Sequence, residues 1–260
     1  MLTDLITVKD LTTETIEDVF RVCSPKLADD KIILKGREMK KAWLKSMLES
    51  YGSIIKIAYW DDEPAAQVMF YPEEAIPFLQ NPREGVIDIV CIYNSGYQGR
   101  GIGSALMDYL IAEARAGLKC LGGEKPRFLV ANPFNTGEGF SLENFYKGKG
   151  FIEGEGELFL EIGGNYEPSK IIQKKKLDLK REAHVYYNPN CEYSYRFAEK
   201  VNEKIIALDG SIKVRLLNLW ESPREFRADG MNLTNVNGIP ILSNVNSAEF
   251  LEEIKSALKS

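Results

Sequence analysis

Histidine is all but missing from this chain: His184 is the single one in 260 residues. Upstream of it, neither a histidine-based metal site nor a Ser-His-Asp triad can be built. Cysteine is sparse as well. Cys23, Cys91, Cys120 and Cys191 are scattered and form no Cys-x-x-Cys pair, so they outline neither a zinc knuckle nor a disulfide framework. No apolar run approaches the roughly 18 residues of a membrane helix. The opening MLTDLITVKDLTTETIEDVF carries acids and polar residues where a signal or transit peptide would not. A basic surplus is absent too: 33 Lys+Arg against 38 Asp+Glu leave a net charge of −5, which gives no field for nucleic acid. A cytoplasmic location, with no membrane, metal or nucleic-acid partner, is the expectation. What is present is apolar substance, 44% hydrophobic against 27% charged residues, enough to bury real cores in a chain long enough for two modest domains or one large one.

Apolar periodicity sets the elements. Ile16, Val19, Phe20 and Cys23 have helical spacing, with Thr12 or Thr13 as cap. GREMKKAWLKSMLES (36–50) reads as a second helix whose Met39, Trp43 and Met47 form a core stripe, ended by Gly52. SIIKIAYW (53–60) and AAQVMFYP (65–72) read as a hairpin around DDEP, and EEAIPFLQNPREG as a connection with one helical turn. GVIDIVCIY (85–93) is a nearly continuous apolar strand. A glycine-rich turn leads to a helix over about 102–115, with Ile102, Leu106, Tyr109 and Leu110 as its anchoring face. PRFLVANP is a strand, FSLENFYKGKG a short helix capped by Ser141, and FIEGEGELFLEIG one or two strands.

The turn is the informative stretch. Gln98-Gly99-Arg100-Gly101-Ile102-Gly103-Ser104 joins a buried strand to a helix. Glycines let backbone N–H groups face one way and let a ligand approach, and the helix N-terminus adds positive charge. Together they suit a pyrophosphate. The Rossmann fingerprint does not fit, because its third glycine would come one place later, and no Walker Gly-Lys-Ser/Thr is present. The spacing is Gln-x-x-Gly-x-Gly, carried by Gln98, Gly101 and Gly103. Downstream, Tyr146, Gly150 and Phe151 give Tyr-x-x-x-Gly-Phe. In this order of elements, residues 1–162 resemble the GCN5-related N-acetyltransferase (GNAT) superfamily.

That resemblance implies an α/β (α+β) fold with a mixed central sheet and direct acetyl transfer from acetyl-coenzyme A to an amine of a small molecule or peptide. It implies that Gly99, Arg100, Gly101, Ile102, Gly103 and Ser104 hold the pyrophosphate, with Gln98 in the same motif. Arg100 would add its charge, and a bulky residue at Gly101 would abolish binding with the fold intact. Cys91, Ile92 and Tyr93 would pair with the pantetheine arm, a backbone amide there polarising the thioester. Tyr146 matches the family's general acid. Asp88 is the candidate base, with Glu138 and Glu143 weaker candidates and a water relay as the alternative. The sequence departs from the family at Gly139, where an asparagine is common; Asn132 and Asn135 lie nearby but out of register. Cys91, without a histidine partner, reads as a small hydrophobe rather than an acyl-enzyme nucleophile.

After Gly163 the texture changes. Residues 164–182 hold Lys170, Lys174, Lys175, Lys176, Lys180 and Arg181 and read as a linker. Residues 183–260 read as β-α-β-α-β-β-α, with Ser222-Pro223 opening a helix, Asn237-Gly238 as a hairpin turn, and Asn246 with Glu249 as a capping box. His184 reads as structural. A strand running through Asn188 to Cys191-Glu-Tyr-Ser194 and a helix resembles the thioredoxin-like fold, with Ser194 in place of a second cysteine. The arrangement is similar to a subfamily joining an acetyltransferase (1–163) to a smaller YoaP-like, thioredoxin-like α/β domain (183–260). The helix dipole there would favour a Cys191 thiolate, but with no resolving thiol a dithiol cycle is not expected. A homodimer is compatible with these readings. The alternatives are a non-catalytic acyl-coenzyme A or partner-binding protein, and a monothiol thioredoxin-like module.

Overall fold

A computed structural model describes residues 5–26, 29–133, 140–170 and 181–259. The chain divides into two units, Met1–Lys26 with Leu44–Lys170, and Leu27–Trp43 with Ile171–Ser260. Among the described residues no helix is long and apolar enough to cross a membrane.

The first unit is built on a seven-stranded mixed sheet. In chain order it holds β1 (Ile6–Asp10), α1 (Ile16–Cys23), the end of α2 (Lys31–Tyr51), β2 (Ile55–Trp60), β3 (Glu63–Pro72), a 3₁₀ turn (Glu73–Ala75) and β4 (Val86–Asn94). Then come α3 (Ile102–Ala116), β5 (Phe128–Ala131), α4 (Leu142–Gly148), β6 (Ile152–Glu153) and β7 (Leu158–Glu161). The strand order is β1-β2-β3-β4-β5-β7-β6. Neighbours pair antiparallel except β4 and β5, the parallel pair that α3 connects. Ile102, Leu106, Met107, Leu110, Ile111 and Ala114 are the buried side of α3. Tyr109, expected on that side, is 46% exposed.

Two irregularities of β4 matter. Met69 pairs with Cys91 but Phe70 pairs with Ile89, so Val90 is an extra residue, a β-bulge. The parallel pairing with β5 ends at Ile89 and Ala131, while β4 runs on to Asn94. The two strands therefore part company, leaving the Val90–Asn94 edge without β5 beside it.

Several boundaries differ from the sequence reading. β1 was not expected: it is a short edge strand with alternate residues exposed, and its charges mask the period. The residue before α1 is Thr15, without a side-chain cap, rather than Thr12 or Thr13. α2 starts at Lys31 rather than Gly36, because Asp30 Oδ1 accepts the N–H groups of Ile32 (2.9 Å) and Ile33 (3.1 Å). Residues 164–167, placed at the linker's start, are tied to the sheet as Gly163 before them is: Gly163 and Gly164 N–H donate to Arg127 O, and Tyr166 N–H donates to Glu161 Oε1 at 2.7 Å. Lys174, Lys175, Lys176 and Lys180 lie outside the described residues.

The second unit holds β8 (Glu182–Tyr187), α5 (Glu192–Leu208), β9 (Lys213–Asn218), α6 (Pro223–Ala228), β10 (Thr234–Val236), β11 (Ile239–Pro240) and α7 (Ala248–Leu258). Its sheet order is β11-β10-β8-β9, with β8 and β9 parallel and the other pairs antiparallel. Ala183, Val185, Ala198, Val201, Ile205, Phe250 and Ile254 are among its core residues. The hairpin turns at Asn237 (φ 51°) and Gly238 (φ 76°), both left-handed as a type I′ turn requires. The cap of α7 is Ser247, whose Oγ accepts from Phe250 N–H at 3.3 Å, one residue beyond the expected Asn246. Ser222 precedes Pro223 as expected but makes no side-chain cap bond.

Candidate functional site

The site is assembled around the N-terminus of α3. Gly101 is its N-cap in a left-handed conformation (φ 74°), and Gly99 is also left-handed (φ 77°). The first backbone bond into the helix runs from Ala105 N–H to Gly101 O, 2.9 Å. The N–H groups of Ile102, Gly103 and Ser104 come before it and have no helical acceptor. Such a helix start attracts anions. A Cβ added at Gly99, Gly101 or Gly103 would meet no atom within 4 Å, so the space there is open. Gly99 and Gly101 need glycine for their backbone conformation, so a bulky residue at Gly101 would strain the turn itself besides covering the amides. Gly103 has ordinary helical backbone, and its missing side chain only leaves the amides uncovered.

The side chains of the turn divide their roles. Ile102 is buried and anchors the helix, while Gln98 is exposed. The Arg100 guanidinium lies over the rings of Trp60 (5.2 Å) and Tyr97 (5.6 Å), a cation–π arrangement. The cation bonded to the first turn of α3 is Lys149, which the sequence reading missed. Its Nζ donates to Ser104 Oγ and lies 2.6 Å from Asp108 Oδ1, with the side chain only 13% exposed.

Along β4, Cys91 and Ile92 are half-buried and Tyr93 is exposed, just past the bulge. Asn132 is exposed, one residue beyond the end of β5. Glu143 is paired with Lys147 at 2.7 Å in an exposed helical salt bridge, while Asn135, Glu138 and Gly139 lie outside the described residues.

Tyr146 is positioned by the local physics of its own motif. Ser141 Oγ accepts from Asn144 N–H (3.1 Å) and starts α4. At the other end Gly150 is left-handed (φ 90°), its N–H donates to Lys147 O (3.0 Å), and Phe151 N–H donates to Tyr146 O (3.1 Å). This is a Schellman closure. Its accompanying apolar contact is the edge-on packing of Tyr146 and Phe151, centroids 5.2 Å apart. The Tyr-x-x-x-Gly-Phe spacing is thus a helix stop that fixes the tyrosine. Tyr146 is 3% exposed, and desolvation first, then the charges of Cys91 and Asp88, hold its hydroxyl well above the phenol range. Cys91 and Asp88 therefore both lie within electrostatic reach of Tyr146.

Asp88 stands in register with Tyr71 of β3 and Val130 of β5, and Val130 with Phe159 of β7. Val86, Phe128, Val130 and Phe159 form a buried cluster against which Tyr166 packs. Desolvation, then Glu73 and Glu157, push the Asp88 carboxyl up to about 7, against the opposing pull of Arg83. Arg83 is buried between those two glutamates. Its Nε lies 3.1 Å from both Glu73 carboxylate oxygens, one terminal nitrogen is 3.0 Å from Glu157 Oε2, and the other donates to Glu167 O at 2.8 Å. Tyr166 Oη donates to Glu157 Oε1 at 3.1 Å.

The profile of the acetyltransferase (GNAT) family matches residues 15–132. The match runs from α1 to the end of β5, so Asp88 and the glycine turn fall inside it, and Tyr146 and Lys149 beyond it. Similar solved structures include a GNAT family acetyltransferase from Brucella melitensis in complex with acetyl-CoA (16% identity, 64% of this chain and 93% of that one, TM-score 0.43). The ribosomal-protein-S18-alanine N-acetyltransferase of Escherichia coli gives 15% identity, 64% and 99% coverage, and a TM-score of 0.42. Ard1 from Thermoplasma volcanium gives 13% identity, 61% and 98% coverage, and 0.41. No curated protein matches the sequence.

In the second unit, Cys191 is the N-cap of α5 and keeps an exposed surface. Crowding by surrounding protein is the largest influence on its thiol and pushes it up, against Lys40, so the expected depression by the helix dipole does not prevail. Ser194 Oγ accepts from Asn188 N–H at 2.8 Å. His184 is buried as expected, its Nδ1 2.6 Å from Asp229 Oδ2.

Proposed function

We propose that residues 1–163 are an N-acetyltransferase that takes acetyl-coenzyme A as cosubstrate and acetylates a primary amine on a small molecule or peptide. The observation that carries this is the uncovered N-terminus of α3 beside the stretch of β4 that β5 leaves unpaired. The open space at Gly99, Gly101 and Gly103 fits a pyrophosphate on the amides of Ile102, Gly103 and Ser104, with Lys149 as the neighbouring cation and Gln98 and Arg100 at the rim. The Cys91–Tyr93 edge fits the pantetheine arm, with Asn132 across the gap. When bound, acetyl-coenzyme A supplies an activated acetyl group as a thioester. Asp88 accepts the proton of the attacking amine, and Tyr146, kept neutral by burial, donates one to the departing thiolate. The sheet order of the second unit, with its parallel β8–β9 pair and a cysteine at the N-cap of α5, supports a thioredoxin-like reading of residues 183–260. With Ser194 occupied by Asn188, we assign it a binding rather than a dithiol role.

The test is thiol release from acetyl-coenzyme A over a panel of small amines, aminoglycosides and peptide N-termini. Release that depends on one acceptor class supports the proposal. Tight cofactor binding with no release across the panel would instead favour a non-catalytic binding protein.

A further inference from the structure

The Glu73–Arg83–Glu157 cluster is absorbed by none of the roles above, although it is the most heavily bonded buried charge group of the first unit's described residues. Its parts come from three places: the 3₁₀ turn after β3, the loop before β4, and the residue before β7. Arg83 is satisfied by both carboxylates and by Glu167 O. Two negative charges thus share one positive charge, a surplus of one negative in a nearly dry place. Asp88 stands on β4 five residues after Arg83, at the margin of the apolar cluster on which the Arg83 guanidinium also packs, 5.3 Å from the Phe128 ring centroid. Its carboxyl group makes no hydrogen bond or ion pair among the described residues, while its backbone is paired in the sheet.

We propose that Glu73, Arg83 and Glu157 are positioning residues for the transfer reaction, and that their surplus negative charge beside Asp88 makes it hold the proton it receives from the acceptor amine. The inference rests on the acetyltransferase reading for the reaction, but the effect on Asp88 exists in the free protein. The titratable or charged groups on the elements around Asp88 are Tyr71 on β3, Glu73, Arg83, Glu157, Tyr166, Tyr146 on α4, and Cys91 on β4 itself. Glu73, Glu157 and Arg83 are the three that act on it beyond desolvation. Near neutrality Asp88 is then a base that ionises readily enough to accept a proton and returns it to solvent after each turnover.

The experiment is a carbon-13 NMR titration of the carboxyl groups in the full chain, for the native protein, Asp88→Asn and Glu157→Gln. Asp88→Asn assigns the resonance. Glu157→Gln keeps the shape and one acceptor for Arg83 while removing the surplus charge, so the Asp88 titration should move down by about one pH unit. The acid limb of kcat/KM should move down with it. An unmoved Asp88 titration in folded Glu157→Gln overturns the proposal, and so does a moved titration with an unmoved acid limb. If Glu157→Gln does not fold, Glu73→Gln is read in the same way. If no acceptor amine supports thiol release, the acetyltransferase reading fails, while the titration still decides whether the cluster controls Asp88. Stability gives a second readout. A carboxyl whose proton is held more tightly when folded adds stability at low pH and loses it as pH rises through about 7. The melting temperature of Asp88→Asn relative to the native protein should therefore rise between about pH 5 and about pH 8. A constant difference over that range contradicts the proposal.

Discussion

Helices α3 and α5 begin in the same setting and end up with opposite fates. Each follows a strand that is paired in parallel with the strand after the helix, β4 with β5 and β8 with β9. Each start therefore presents orphan N–H groups and the positive end of a helix dipole. At α3 no acidic residue stands in the first turn, and the glycine Cβ positions face open space. At α5 the protein supplies its own anion. Glu192 is buried in the first turn and pairs with buried Lys40 of α2 at 3.0 Å. Gly36 lies so close that a Cβ there would stand 2.2 Å from Glu192 O. A helix dipole by itself does not make a binding site; what decides is whether the chain fills the space in front of it.

Tyr146→Phe bears on the open side and is expected to have the largest effect, a fall in turnover of roughly 10²–10⁴-fold with cofactor affinity preserved. Steady-state kinetics beside calorimetry separate the two, and full turnover in this variant would show that another group protonates the thiolate. Lys40→Ala bears on the filled side. It removes the cation paired with the buried Glu192 carboxylate, for a loss of about 3–5 kcal/mol in unfolding free energy by denaturant titration. Retention of native stability would mean that α5 is not closed by this pair. Cys191→Ser should have the smallest effect, leaving acetyl transfer unchanged. Cys191-dependent turnover of a disulfide or of glutathione would show instead that α5 is an active site after all.

The open side was the more legible in sequence, for a physical reason. Glycine spacing, a helix stop and a capping serine act within a few residues, so Gln98–Ser104, Ser141 and Tyr146-Gly150-Phe151 carry their geometry locally. The charges that finish the site act across long separations. Glu157 lies 74 residues from Arg83, and Lys149 lies 45 from Ser104. No local pattern links such partners; only the sheet order and the return of β7 beside β5 bring them together. Lys40 was hidden differently. It occupies the stripe of α2 between Gly36 and Trp43, and its burial follows from Glu192, 152 residues away. Gly36, at which the apolar stripe of the sequence begins, is interior to α2 and serves a close approach. The bulge at Val90 left no trace in an apolar run that reads as a regular strand.

The central claim is that the open start of α3 is the cofactor's seat, and Gly103→Glu tests it most directly by placing at α3 what Glu192 places at α5. Gly103 has helical backbone and an added Cβ meets nothing, so the variant should fold, as circular dichroism and melting would register. Calorimetric titration with acetyl-coenzyme A should then show affinity reduced by at least about 100-fold, from covered amides and like-charge repulsion. A folded Gly103→Glu protein that binds acetyl-coenzyme A as tightly as the native chain would contradict the account.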